Sequence, residues 1–348
     1  MGRVSRGQSD NRQGNGPARR IRRVGVLMVL VGLGGGLVIG GSLQARAQAG
    51  QDQEAANIAK EVKEAPLRYM KNGEKPDSTG DGPYPAIKRQ IDGPPDLVAY
   101  YPKNLAALGG HKMPIYIFGN GACSNDGASS RQHLLEIASY GYLAIAPGGI
   151  YSGPGVKMTP KSFSEHRERT RAVQLGEAIN WAVAANKDPK SPFHGRIDTA
   201  HIAMSGYSCG GIQALKYAGD SRITTFVIMN SGLLDKSTPQ MGEMAGSKGL
   251  LNRITVPILY VLGGKQDIAY PNGTDDFKRI TKVPAAVIST DVTHQGTYNE
   301  PNGGRAARAV VAWLNWRLRG DQKAAKWFVG PKCRLCTDPA WTVERRNF

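Results

Sequence analysis

Between Pro114 and Ser289, apolar runs of four to six residues alternate with longer polar or helix-like stretches, and this alternation leaves the chain few architectures. The runs are Pro114–Phe118, Tyr142–Ala146, Ile202–Ser205, Thr225–Met229, Pro257–Leu262 and Ala286–Ser289. Helical patterns occupy Ser130–Tyr140, Glu165–Ala185 and Gly304–Phe328. Antiparallel neighbours need only a tight turn, whereas parallel ones need a crossover of a dozen or more residues. The spacing therefore predicts a mostly parallel sheet covered by helices on both faces, with Asp96–Tyr101 as an edge strand. An apolar fraction of 40% supplies the core such a sheet requires.

One run ends in Gly206-Tyr-Ser-Cys-Gly210 and passes at once into a helix-like segment, Ile212–Ala218. A serine on a sharp strand-to-helix turn has its hydroxyl exposed at the carboxyl edge of the sheet. The five-residue pattern alone is weak; its meaning comes from that context. A nucleophilic Ser208 needs a base, an acid to orient the base, and backbone donors for an oxyanion. In a sheet of this kind the order along the chain is serine, acid, histidine, each at a strand's carboxyl end. Asp267 follows the strand Pro257–Leu262 through Gly263-Gly-Lys-Gln and is the preferred acid, over Asp235 and Asp291. His294, after the last strand, is the one histidine downstream of Asp267. His201 opens its strand at the opposite edge, and His111, His133, His166 and His194 precede the serine. The Gly-rich turn Gly119-Asn-Gly-Ala-Cys123 offers the backbone N–H of Ala122 as one oxyanion donor, with Gly121 one residue away, and Cys209 offers the other. Asn120, Gly121 and Tyr207 flank these groups and are the expected substrate contacts.

The N-terminus reads as an address. Arg19-Arg-Ile-Arg-Arg23, the apolar run Val24–Leu43 and Ala45-Arg-Ala-Gln-Ala49 have the order of a secretory signal peptide cut after Ala49. The competing reading is an uncleaved membrane anchor, since about 20 apolar residues can span a bilayer. The paired arginines raise a twin-arginine export route, but the residues after them do not support it. Export predicts a secreted or periplasmic protein, where the four cysteines pair. Four cysteines admit three connectivities. Cys333-Arg-Leu-Cys336 is close enough to close on itself, which leaves Cys123 and Cys209. No second Cys/His pair has zinc-ligand spacing, and the terminal position of the C-x-x-C argues against redox chemistry.

Residues 50–85 read as an extended lead-in containing a short helix over Ala55–Leu67, residues 86–330 as the domain, and residues 331–348 as a Cys-stapled tail. Of the net charge of +17, residues 1–49 hold eight Lys/Arg and one Asp; the rest carries 37 basic and 27 acidic residues, a net +10. That excess favours anionic surfaces or polymers. No basic cluster interleaved with aromatics points to nucleic acid.

Phe118-Gly-Asn-Gly-Ala, Gly206-Tyr-Ser-Cys-Gly-Gly211, Gly264-Lys-Gln-Asp267 and Thr293-His294 together resemble the α/β-hydrolase superfamily. Within it they resemble secreted esterases of the dienelactone-hydrolase and polyhydroxyalkanoate-depolymerase-like kind, over Ala86–Gly330. Dienelactone hydrolases carry cysteine where this chain has Ser208, a departure that argues against their substrate. The resemblance implies a Ser208–His294–Asp267 triad acting through an acyl-enzyme, with no metal or organic cofactor. It also implies that Cys123 and Cys209 meet, so that a disulfide there braces both oxyanion donors. The expected substrate is a carboxylic ester, small or polymeric. A serine peptidase of the same fold and a non-catalytic binding protein are the alternatives, and the sequence says nothing of oligomeric state. The short, polar stretch Leu233–Ile254 predicts an open cleft without a large lid, with Met241, Met244 and the 150–164 loop as further liners.

Overall fold

The computed structural model describes residues 37–92, 96–236 and 238–348. The chain divides into two compact units, Met1–Ala49 and Gly50–Phe348, and the second carries the sheet. Residues 1–36 of the expected signal peptide lie outside the described residues. Among those described, no helix is long and apolar enough to cross a membrane.

The chain opens with α1 (Leu37–Gly73), then β1 (Ala86–Ile91), β2 (Leu97–Pro102), β3 (Met113–Gly119), α2 (Arg131–Ser139) and β4 (Leu143–Pro147). Next come α3 (Ser162–His166), α4 (Val173–Lys187), β5 (Ile197–Tyr207), α5 (Cys209–Leu215), β6 (Thr225–Met229), β7 (Ile258–Leu262) and α6 (Tyr270–Arg279). The chain closes with β8 (Ala285–Ser289), α7 (Gly304–Arg319), α8 (Gln322–Ala325), α9 (Arg334–Thr337) and β9 (Thr342–Arg346). The described strands form one sheet in the order β1-β2-β4-β3-β5-β6-β7-β8-β9. From β4 to β8 all neighbours run parallel, while β1, β2 and β9 pair antiparallel. This is the architecture of the α/β-hydrolase fold.

Alternation along each strand feeds two cores, because successive side chains point to opposite faces. Ile115 and Ile117 of β3 pack with Leu175 and Ile179 of α4, Leu215 of α5 and Phe277 of α6. Tyr116 and Phe118 of the same strand pack instead with Leu134 and Ile137 of α2 and with Val310 and Trp313 of α7. The Trp313 indole N–H, deep in that second core, donates to Thr225 Oγ1 at 2.9 Å.

Several expectations change. The lead-in is helical through Gly73 and not mainly extended. The strand at Asp96–Tyr101 is one place in from the edge, because β1 covers it. The helix expected over Glu165–Ala185 is two helices, parted at residues 167–172. The break has a tertiary cause. The backbone N–H groups of Glu168, Arg169 and Thr170 donate to the carbonyls of Ala122 and Cys123 at 2.8–2.9 Å. The closing helix stops at Gly320, whose left-handed backbone (φ 69°) ends α7.

Candidate active site

The parallel topology brings the carboxyl ends of β3, β5, β7 and β8 to one edge. Ser208 lies between β5 and α5 with φ 53° and ψ −121°, a left-handed conformation unusual for a residue with a side chain. The turn is possible because its flanks lack side chains. A Cβ on Gly206 would stand 2.2 Å from the Gly210 carbonyl oxygen, and one on Gly210 would stand 2.0 Å from that of Gly119. Ser231 Oγ donates to the Ser208 carbonyl at 2.6 Å, and the Ser208 N–H donates to that of Met229 at 3.1 Å.

His294 Nε2 lies 2.9 Å from Ser208 Oγ, and its Nδ1 lies 2.7 Å from Asp267 Oδ1. Both are buried, His294 at 6% exposure and Asp267 at 1%. Asp267 Oδ1 also accepts the Ala269 N–H at 2.9 Å. Its Oδ2 accepts from the Gly263 N–H at 2.9 Å and from Asn230 Nδ2 at 2.8 Å. The histidine loop is pinned from two sides: the Thr293 N–H donates to the Gly263 carbonyl at 2.8 Å, and the Tyr207 hydroxyl to the His294 carbonyl at 2.9 Å. A buried carboxylate with this many donors stays a fixed acceptor, which sets the imidazole tautomer and aims Nε2 at the serine.

The rival acids stand elsewhere. Asp235 is exposed and faces Arg279 at 3.7 Å, and Asp291 is exposed beside Gly264. Of the other histidines, His201 pairs with Asp198 at 2.7 Å and His166 stacks on Tyr151 at 4.2 Å. His111 and His194 are exposed. His133 is wholly buried beneath the site, with Nε2 3.0 Å from the Tyr116 hydroxyl, and burial pushes its pKa down to about 3.

The chain after β3 makes a tight turn over Gly121–Cys123, with Ala122 at φ 54° and Cys123 at φ 46°. A disulfide joins Cys123 to Cys209, their Cα atoms 5.3 Å apart, and a second joins Cys333 to Cys336. Cys209 opens α5, and Ala122 lines the same cavity as Ser208. The Cys209 N–H, in the first turn of α5, has no intrahelical acceptor.

A cavity of about 280 Å³ opens over the serine. Gly121, Ala122, Tyr207, Ser208 and His294 line it, as the sequence leads one to expect of them. Asn120 does not. It is wholly buried and its amide donates to the Ser124 and Pro147 carbonyls at 2.9 and 2.8 Å, so it holds the turn. Met241 and Met244 are exposed and outside the cavity, and Phe163 is the residue of the 150–164 stretch that reaches it. The sequence predicts only a short helix over Ala55–Leu67 and gives it no part in the site, yet Glu61, Val62, Ala65, Arg68, Tyr69 and Asn72 of α1 form one wall. Their i, i+3, i+4 spacing was the available signal. Sequence reasoning also missed Asn230, which no local motif marks. Among the described residues, no group of three or more His, Cys, Asp or Glu is arranged to hold a metal ion. Comparison with protein-family models and with curated proteins returns no match for this chain.

Proposed function

We propose that this protein is a serine hydrolase that cleaves carboxylic esters through an acyl-enzyme on Ser208. The observation that carries the reading is the continuous hydrogen-bonded chain from Ser208 Oγ through the His294 ring to Asp267, with the serine on a strained turn that lines the cavity.

In this mechanism His294 Nε2 takes the Ser208 proton as Oγ attacks the ester carbonyl. The N–H groups of Ala122 and Cys209 hold the developing oxyanion, the largest single contribution in sites of this type. Asp267 stabilises the imidazolium without taking its proton. His294 then gives the proton to the leaving alcohol, and a water activated by the same nitrogen releases the acid. The two disulfides support an exported protein in an oxidising compartment.

Nitrophenyl esters of short acids, offered to wild type and to Ser208→Ala, test the reading. Wild type is expected to release nitrophenol and to be labelled on Ser208 by a fluorophosphonate, and the variant to do neither. Equal rates for the two proteins would sink the assignment.

A further inference from the structure

Resting on that reading, we propose that residues 61–72 of α1 are the specificity element of the site, and that the pocket they complete takes small esters and rejects polymer chains. Three observations lead there.

The wall is one helical face. Glu61, Ala65, Arg68 and Asn72 follow i, i+4, i+7, i+11, with Val62 and Tyr69 alongside, and all six line the cavity that holds Ser208. Arg68 pairs with Glu61 and, at 3.2 Å, with Glu64, so its guanidinium is held along the helix and does not swing. Pro66 has no N–H to give the Val62 carbonyl, which leaves an acceptor on the turn beside the cavity.

The wall is anchored to the domain. The Tyr69 hydroxyl donates to Asp126 Oδ2 at 2.7 Å, and its ring meets Phe163 edge-on at 5.7 Å. Arg131, 1% exposed, donates from Nη2 to the carbonyls of Asn72 and Lys75 at 2.7 and 2.6 Å, and from Nε to Asp77 at 2.8 Å. Lys75 Nζ donates to the Asn299 carbonyl at 2.9 Å, and the Gly153 N–H to that of Gly73 at 3.1 Å. A strap free to swing away would not be tied by a buried arginine at its base.

The space is small. About 280 Å³ lies just below the range of roughly 300–1,000 Å³ that holds drug-sized ligands. So small a space, walled by an anchored helix, favours a short acyl ester over a polymer chain passing through the reacting position.

The test compares nitrophenyl acetate, butyrate and octanoate and an emulsified aliphatic polyester, using wild type, Ala65→Leu, Val62→Ala and Ser208→Ala. Wild type is expected to prefer acetate and butyrate over octanoate by roughly tenfold or more in kcat/KM and to release no soluble product from the polyester. Ala65→Leu, which fills the wall side of the pocket, should lower kcat/KM for butyrate about tenfold relative to that for acetate. Val62→Ala should raise octanoate relative to butyrate. Ser208-dependent turnover that is indifferent to acyl length, product from the polyester, or an equal effect of both wall variants on every ester overturns the wall's role alone. Absence of any Ser208-dependent turnover overturns the esterase reading and the wall with it.

Discussion

Asn230 donates to Asp267 Oδ2 at 2.8 Å and to the Thr293 carbonyl at 3.1 Å, and accepts the Tyr298 hydroxyl at 2.6 Å. It thus joins the acid, the histidine loop and the floor of the site, and its left-handed backbone (φ 42°) suits asparagine better than most residues. Hydrogen bonds to a charged group are worth about 1.5–3 kcal/mol. Asn230→Ala should therefore lower kcat roughly ten- to hundredfold with KM little changed, a split read from steady-state kinetics on a short ester. The role could not be read from sequence, because all three partners lie outside its own segment. Ser208, Asp267 and His294 could be read because their order and their strand-end positions are local properties.

His133 yields a second residue-scale prediction. Burial holds its folded pKa at about 3, below the usual value of 6.5, so the unfolded chain binds the extra proton first as pH falls. The penalty is absent above pH 6.5 and grows between 6.5 and 3, by at most about 1.4 kcal/mol per pH unit. Glu136, raised by burial to about 7, and Asp276, raised by burial to about 6, act in the opposite sense. They destabilise the fold as pH rises from about 4.5 and 3.8 respectively, the ordinary values, so the difference between proteins is the informative quantity. Chemical denaturation of wild type and His133→Gln at pH 7 and pH 4.5 should show the variant losing less stability on acidification. Parallel losses would remove His133 as the cause.

At the scale of elements, the Cys123–Cys209 disulfide joins the segment after β3 to the start of α5, across 86 residues of sequence. Removing a native disulfide typically costs about 2–4 kcal/mol. In the proposed mechanism it should also cost turnover, because there one cysteine supplies an oxyanion donor and the other adjoins the second. Cys123→Ser with Cys209→Ser should melt earlier and show lower kcat at similar KM, while Cys333→Ser with Cys336→Ser keeps its kcat. Unchanged turnover in the first variant would reduce the bridge to a staple. The elements that sequence reading missed share a physical reason. The outer strands β1 and β9 mix apolar with charged residues, as exposed edges do, and give no apolar run. The interruption between α3 and α4 is imposed by bonds to the carbonyls of Ala122 and Cys123, which no local pattern encodes. The central strands were legible because both faces are buried and their runs are continuously apolar.

For the whole molecule, β9 closes the sheet against β8, and the tail behind it completes an aromatic cluster on α7. Arg317 stacks over Trp316 at 3.4 Å with Trp313 and Phe348 nearby, and burial lowers its pKa to about 10. Arg345 donates to the carbonyls of Phe328 and Gly330. Deleting residues 338–348 should lower the melting midpoint and bare the β8 edge, seen as concentration-dependent light scattering. A truncated protein that melts as wild type and stays monodisperse would show the strand to be dispensable.

The position of α1 has a bearing on how such proteins diversify. On the proposed reading the reactive groups come from residues 122–294, while one side of the substrate space comes from residues 61–72, ahead of the first strand. Taste and chemistry are thus carried by separate cassettes of one chain. Exchanging a short stretch near the start would re-tune what enters while leaving every catalytic bond untouched. Two such enzymes could match along the whole sheet and still digest different things, so their diets are to be compared in the stretch ahead of it.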